Sequence, residues 1–134
     1  MSNPPSPATP RAIVIGHGEF ASGMLTAVEK ITGLGSALLA LSVQDRSLVQ
    51  IEAWLRENLS ASGALVVFTD LQAGSATMAA RKALRDLPAV VLVVGANLPM
   101  LLDFVFHREL ALDALVARLV DAGRAAIRAA PAAS

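Results

Sequence analysis

Hydrophobic residues along the chain follow two alternating patterns: short unbroken apolar runs, and longer stretches in which apolar residues recur at helical spacing. The unbroken runs predict four β-strands, at residues 12–15, 37–43, 64–69 and 89–94. Helical spacing follows each run, which predicts a helix after every strand and one more near the end of the chain.

The first two predicted helices carry clear apolar stripes and clear signals at their ends. The first spans residues 20–32 and ends at Gly33. Its inward stripe consists of Phe20, Met24, Val28 and Ile31. Ser47 and Gln50 are spaced as a capping box at the start of the second helix. The inward stripe of that helix consists of Leu48, Ile51, Leu55 and Leu59.

The later helices are predicted from single residues that favour helix ends. Ser75 is expected to cap a helix that runs to about Asp86. Pro99 suits the first turn of a short helix that ends near Phe106, and Asp113 can cap the last helix. The residues of this last helix that should face inward are Leu115, Leu119 and Val120.

The alternation of strands and helices indicates the α/β class. We expect a doubly wound, mainly parallel four-stranded sheet with helices on both faces, because continuously apolar strands are typical of buried parallel sheets. One domain is predicted over residues 11–128. The segments at residues 1–10 and 129–134, rich in proline and small residues, are predicted to be a disordered leader and tail.

Residues 89–106 are apolar enough to be weighed as a membrane span, with Asp103 as their single charge. Gly95, Asn97 and Pro99 interrupt this stretch with residues typical of turns. We therefore expect a buried strand, a turn and a helix, with no insertion into a membrane.

Composition narrows the possible functions. The chain has 134 residues with 11 basic and 11 acidic side chains, so it lacks the basic surplus that is typical of nucleic-acid-binding proteins. It contains no cysteine, which excludes disulfides, thiol catalysis and cysteine-bound metals. A nucleic-acid partner is therefore not expected.

Chemically capable side chains follow the first and third predicted strands. His17 lies between Gly16 and Gly18, directly after the first strand, and Asp70 directly follows the third. In open parallel sheets, ligands bind beyond the carboxyl ends of the strands, where the strand order reverses. If these two strands are neighbours, the Asp70 carboxylate can fix the His17 tautomer and leave the other ring nitrogen free to act as a nucleophile.

Two predicted helices begin beside the same edge, at about Glu19 and Ser75. Helix N-termini offer free backbone N–H groups and partial positive charge, which suit a phosphoryl group. Gly18 and Gly74 would let the backbone approach such a group closely. Phosphoryl chemistry on His17 is therefore a candidate, and a histidine that only caps a turn is the structural alternative.

Other chemistries fit the sequence less well. A metal site is not predicted, because His107 lies beyond a helix from His17 and no paired-histidine motif is present. A serine hydrolase is disfavoured because there is no Gly-x-Ser-x-Gly motif. The glycines at 16, 18 and 23 match neither a dinucleotide fingerprint nor a P-loop, which disfavours nucleotide binding.

Three segments together resemble a known family. They are IVIGHGEFASGML, VVFTDLQAGSATMAA and VVGANLPMLL, and the closing LVDAGRAAI is similar to the family's last helix. The family is the mannose-type enzyme IIA of the bacterial phosphoenolpyruvate-dependent sugar phosphotransferase system (PTS). The resemblance covers about residues 11–128, and GHGEFASGM is similar to members that serve N-acetylgalactosamine-type sugars.

The resemblance implies a cytoplasmic phosphotransferase component without a cofactor. It places the phosphorylated histidine at His17, its orienting aspartate at Asp70 and a phosphoryl-binding serine at Ser75. It implies phosphorylation by the phosphocarrier HPr, transfer to a histidine of enzyme IIB, sugar transport through a permease, and a homodimer.

The loop after Asp70 departs from the family pattern Asp-x-x-Gly-Gly-Ser-Pro-Phe. Ala73 replaces the first glycine, and Ala76 and Thr77 replace Pro-Phe. Because alanine tolerates a positive φ poorly, the loop is expected to be remodelled at Ala73, which would affect partner choice or transfer rate.

Two competing functions remain at this stage. A PTS-derived regulator would have partners that read the phosphorylation state of His17, without sugar transport. A small-molecule binding module would leave His17 inert. Phe20, Met78 and Met100 are either core residues, which we favour, or a surface for docking partners, and His107 is expected to be a solvated helix end.

Overall fold

The computed structural model describes residues 11–130. Its strands are β1 (Ala12–Gly16), β2 (Leu38–Ser42), β3 (Val66–Thr69) and β4 (Val91–Val93). Its helices are α1 (Phe20–Thr32), α2 (Leu48–Ser62), α3 (Ser75–Ala83), α4 (Leu98–Phe106) and α5 (Leu112–Ala125). The predicted leader at 1–10 and the last four residues of the predicted tail lie outside the described residues.

The four strands form one parallel sheet with the order β2-β1-β3-β4. The chain moves outward from β1 to β2, then crosses back to β3 on the other side of β1. The order therefore reverses between β1 and β3. Ile15 pairs with Thr69 near the carboxyl end of these strands, so the residues that follow them leave the sheet side by side.

Alternate side chains of the strands build a separate core on each face of the sheet. Val14 and Phe68 pack with α1, α4 and α5, where the ring of Phe68 meets Phe104 edge to face. Ile15 and Val67 pack with α2 and α3 on the opposite face. The predicted α/β class and the doubly wound parallel sheet are confirmed.

Most predicted elements are confirmed: β1 extends one residue beyond its apolar run, and the other strands begin or end one or two residues inside theirs. Gly33 ends α1 with a φ of 73°, and Ser47 and Gln50 form the capping box of α2. Residues 89–106 contain β4, a turn and α4. No helix within residues 11–130 combines the length and the apolar character needed to cross a membrane.

Two predicted caps are wrong. Gly74 occupies the N-cap of α3, and Ser75 is the first helical residue. Ala111 occupies the N-cap of α5, while Asp113 lies in its first turn and its carboxylate accepts a hydrogen bond from the amide of Ala114. Neither N-cap residue therefore bonds to its helix through a side chain.

Two members of the predicted stripes are also wrong. Ile31 is 60% exposed at the end of α1, and Leu48 is exposed at the start of α2. Each lies in the terminal turn of its helix.

Candidate functional site

His17 follows the last residue of β1 and stands at the surface where the strand order reverses. Its side chain is 51% exposed. Its carbonyl accepts a hydrogen bond from the amide of Phe20 at 3.0 Å, which turns the chain into α1. Gly18 takes a φ of 52° in this turn, a conformation that favours glycine. The ring is thus held at the tip of a strand and remains accessible.

Asp70 follows β3 and holds His17 through one oxygen. Asp70 Oδ2 lies 2.8 Å from the backbone nitrogen of His17 and 2.8 Å from its ring Nδ1. The Asp70 side chain is only 11% exposed. His17 follows β1 and Asp70 follows the neighbouring strand β3, so the register of these two strands places the carboxylate beside the imidazole.

The ionisation of Asp70 determines the His17 tautomer. Burial raises the pKa of Asp70, but the hydrogen bonds from the His17 backbone and ring, with the charge of the ring, bring it below its ordinary value. At neutral pH the carboxylate is therefore ionised and can only accept hydrogen bonds. The ring nitrogen facing it, Nδ1, must carry a proton, and in the neutral ring Nε2 holds the free lone pair.

Gly74 lies against the edge of the imidazole that carries Nε2. A Cβ built on Gly74 would stand 3.4 Å from His17 Cε1 and 4.0 Å from Nε2, and the φ of Gly74 is 121°. Gly74 is the N-cap of α3, and this cap makes no side-chain hydrogen bond to the first turn of the helix. The nucleophilic edge of His17 thus faces a helix N-terminus whose first N–H groups have no intrahelical acceptors.

Ala73 avoids the positive φ that alanine tolerates poorly. The positive φ of this loop falls on Gly74, the glycine that the chain retains, and Ala73 has no positive φ. Ser75 is half-buried. Because it is the first residue of α3, its backbone N–H is one of the first-turn N–H groups that have no intrahelical acceptor.

Three residues that shape the site were not among the predicted site residues. A Cβ on Gly16 would lie 2.6 Å from Phe20 Cδ1 and 3.1 Å from Asp70 Cγ, so the Asp70 carboxyl packs directly over this glycine. Thr69 and Thr77 are buried and joined by a 2.7 Å hydrogen bond beneath the loop. The Gly-His-Gly motif was a signal for Gly16, whereas nothing in the local pattern marked the threonine pair.

The second histidine, His107, is held in a similar way to His17 but lies at the opposite kind of helix end. His107 is the C-cap of α4, as expected of a helix end, and its Nδ1 bonds to the Asp103 carbonyl at 2.9 Å. Asp103 also pairs with Arg118. A helix C-terminus carries partial negative charge, which disfavours a phosphoryl group there. Both histidines are held through Nδ1, but only His17 faces a helix N-terminus.

The apolar residues near the site divide between core and surface. Met100 is buried and Phe20 is half-buried against the core, as favoured for them. Met78 is 55% exposed in α3, so the expectation that it is a core residue is wrong. Leu71, one residue after Asp70, is exposed as well.

Within residues 11–130 there is no cluster of three or more histidine or acidic side chains that could hold a metal ion. The pair of His17 and Asp70 supplies two such groups, already bonded to each other. The chemistry that this arrangement supports is therefore attack by the Nε2 lone pair on an incoming group.

Comparison with known proteins identifies similar families and structures. The family model described as PTS system fructose IIA component (EIIA-man) matches residues 11–120. The mannose/sorbose specific IIA subunit of the phosphotransferase system from Enterococcus faecalis is 25% identical, with a TM-score of 0.79 over 92% of this chain and 96% of that one.

Two further solved structures share the fold. Phosphotransferase system component EIIA from Streptococcus agalactiae is 22% identical, with a TM-score of 0.80 over 89% of this chain and 95% of that one. The PTS IIA protein associated with the fucose utilization operon from Streptococcus pneumoniae is 23% identical, with a TM-score of 0.77 over 90% and 93%. A comparison with curated proteins gives no significant match.

Proposed function

Because the chain belongs to the mannose-type IIA family of the phosphotransferase system, we propose that it is a phosphohistidine carrier. His17 accepts a phosphoryl group from phospho-HPr and passes it to an enzyme IIB in the cytoplasm. The observation that carries the proposal is the placement of His17: its Nδ1 is held by Asp70, and its Nε2 edge faces the N-terminus of α3.

The chemical step is an in-line transfer between two imidazoles. The Nε2 lone pair of His17 attacks phosphorus, a new N–P bond forms, and the N–P bond of the donor breaks with its electron pair returning to the donor ring. The proton on His17 Nδ1 stays in place. The exposure of His17 supports this step, because the donor histidine belongs to another protein and must reach Nε2 directly.

Asp70 contributes orientation and charge. Its carboxylate holds the Nδ1 proton, so the correct nitrogen is free before the donor arrives. As the N–P bond forms, positive charge develops on the ring, and the adjacent carboxylate stabilises it. Because the two groups are already bonded, this stabilisation needs little reorganisation during transfer.

The phosphoryl oxygens are proposed to bind the backbone at two helix starts. The amides after Gly74, including that of Ser75, open α3 beside His17, and Gly18 precedes the N-cap of α1. Free N–H groups and the helix dipole both favour a dianionic group at such positions. The Ser75 hydroxyl is proposed to add a further hydrogen bond, as the family resemblance implies.

Partner proteins are proposed to dock on the exposed apolar side chains next to the site. Leu71 and Met78 are 54% and 55% exposed and lie in the loop and helix that flank His17. A contact built on two apolar side chains is small, which suits a transient complex that must release its partner after each transfer.

A homodimer is proposed through the outer edge of β4. Among the described strands β4 pairs only with β3, so its other edge presents unpaired backbone groups. A groove of about 420 Å³ runs beside it, lined by apolar residues of β4 and α5. A second copy would cover both the groove and the edge.

Phosphorylation with purified components tests the function. With phosphoenolpyruvate, enzyme I and HPr, the wild-type chain should take up one phosphoryl group and His17→Ala none. Asp70→Ala should remain folded and accept the group roughly a hundredfold more slowly, because the acceptor is kept and its orientation is lost. His107→Ala is the matched control and should behave as wild type. Uptake by His17→Ala would refute the proposal.

A further inference from the structure

Thr69 and Thr77 form a buried hydroxyl pair beneath the candidate site. Within residues 11–130, these are the only polar side chains that are buried, at 0% and 1% exposure. Their Oγ1 atoms lie 2.7 Å apart, and both lie within hydrogen-bond distance of the Leu71 carbonyl. The surrounding core on this face of the sheet is aliphatic.

One arrangement of protons satisfies all three groups. The shorter contact to the Leu71 carbonyl is made by Thr77, so the Thr77 hydroxyl donates to Leu71. The Thr69 hydroxyl then donates to Thr77 Oγ1. Each hydroxyl uses its single proton, and the carbonyl that follows Asp70 is held from below.

The pair links the three pieces of chain that assemble the site. Thr69 is the last residue of β3, Leu71 belongs to the loop, and Thr77 is the third residue of α3. Asp70 lies between two residues that the network holds. Gly74, which contacts the His17 ring, lies between Leu71 and Thr77 and is therefore enclosed by the same network.

Stability alone is a weak explanation for these hydroxyls. Replacing both partners of a buried hydrogen bond by apolar groups of the same shape is often nearly neutral. Valine has the shape of threonine and would suit this aliphatic surrounding. What valine cannot supply is a directional link from α3 to the loop that carries Asp70.

We propose that Thr77, through Thr69 and the Leu71 carbonyl, is a positioning residue that sets the Asp70 carboxylate and the N-terminus of α3 relative to His17. This inference rests on the proposed phosphoryl transfer for its effect on rate. Its effect on the imidazole itself is independent of that function, because the Asp70 bond to Nδ1 exists in the unphosphorylated protein.

Thr77→Val and Thr77→Ser separate the hydroxyl from the shape of the side chain. Thr77→Val should lower the rate of phosphoryl uptake at saturating phospho-HPr by about tenfold, because a small misplacement of the reacting groups is costly. It should also move the ¹⁵N signals of His17 Nδ1 and Nε2 towards a mixture of tautomers. Thr77→Ser retains the hydroxyl and should restore both the rate and the signals.

Thr32→Val is the matched control. The Thr32 hydroxyl donates to the Val28 carbonyl at 2.7 Å and accepts from the amide of Leu34 at 2.9 Å, at the far end of α1. Its removal should change neither the rate nor the His17 signals. Should Thr77→Val fail to fold, the double variant Thr69→Val/Thr77→Val replaces it, since it leaves no hydroxyl without a partner.

The outcomes distinguish this inference from the proposed function. A wild-type rate and unchanged His17 signals in Thr77→Val would overturn it, as would a Thr77→Ser variant that is as slow as Thr77→Val. If the wild-type chain takes up no phosphoryl group, the proposed function fails. The ¹⁵N comparison then still decides the positioning role, because shifted signals support it and unchanged signals contradict it.

Discussion

At the scale of single residues, one carboxylate oxygen does two tasks. Asp70 Oδ2 accepts both the backbone N–H and the ring Nδ1–H of His17, each at 2.8 Å. The first bond holds the end of β1 and the second holds the ring. The same atom therefore connects the fold to the chemistry, and its ionisation matters to both.

The stability of the protein should depend on the ionisation of Asp70 in acid. Burial opposes the charge, but the His17 bonds prevail and leave the pKa below its ordinary 3.8 in the folded chain. A lowered pKa means that the carboxylate stabilises the fold above about pH 4, and that this contribution is lost as pH falls through the folded-state pKa. The stability advantage of wild type over Asp70→Asn should therefore shrink in acid.

Urea unfolding followed by circular dichroism at several pH values between about 5 and 2 measures this change. Asp121→Asn, at an exposed residue of α5, is the control and should track wild type throughout. If the difference between wild type and Asp70→Asn is the same at every pH, the Asp70 carboxylate is not selectively stabilised by His17.

At the scale of elements, the start of α3 is the critical feature. Its N-cap is a glycine with a φ of 121°, a conformation that other residues rarely adopt, placed against the imidazole. A capping side chain here would compete for the N–H groups that are proposed to bind phosphate. The free helix start is therefore consistent with a site that accepts an outside anion.

Gly74→Ala should impair transfer beyond its effect on stability. Forcing alanine into this conformation should cost about 1–3 kcal/mol, and the new Cβ would lie 3.4 Å from His17 Cε1. Gly33→Ala is the control, because its φ of 73° is also positive and nothing lies near its Cβ. Urea unfolding and phosphoryl uptake, measured on both variants, should show two destabilised proteins of which only Gly74→Ala is slow. Equal transfer rates would contradict a role for the α3 start.

The elements themselves were largely predictable because their signals are local. Apolar runs marked the strands, and Gly33 and the Ser47–Gln50 box marked helix ends correctly. Ser75 and Asp113 were placed as caps because both residue types cap helices, yet both lie inside their helices, as the first residue of α3 and the second residue of α5. The backbone of the preceding loop determined those starts, and no local pattern records that backbone.

The candidate site was likewise predictable where sequence position marked its residues, and not where it depends on packing. His17 and Asp70 could be paired once β1 and β3 were assumed to be neighbours, because both follow strand ends. The Thr69–Thr77 bond could not be found, since it depends on how α3 packs on the sheet. The expected remodelling of the loop at Ala73 stays a prediction; in the structure the next residue, Gly74, takes the positive φ.

At the scale of the whole molecule, the topology concentrates the chemistry at one edge. The strand order reverses between β1 and β3, and the ends of these strands carry the histidine and its carboxylate. Helices cover both faces of the sheet, so among the described strands the outer edges of β2 and β4 stay open, and the apolar groove lies beside β4. The proposed transfer site and the proposed dimer interface therefore lie on different parts of the surface.

Ile127→Glu should convert the proposed dimer into a monomer. Ile127 lines the groove beside β4 and is 76% exposed, so the change should leave the fold intact while placing a charge in the interface. Ile31→Glu is the matched control, at an isoleucine that is 60% exposed at the end of α1. Light scattering after size exclusion should give a dimer for wild type and the control. A wild-type monomer, or a dimeric Ile127→Glu, would contradict this interface.

In the proposed mechanism, Asp70 holds Nδ1 of His17 and leaves Nε2 to carry the phosphoryl group. Two-dimensional ¹H–¹⁵N NMR of the histidine rings, recorded on the freshly phosphorylated wild-type chain, tests it most directly because it identifies the modified nitrogen. We expect one phosphohistidine, at His17, with phosphorus bonded to Nε2 and a proton on Nδ1. A phosphoryl group on Nδ1 of His17, or on His107, would contradict it.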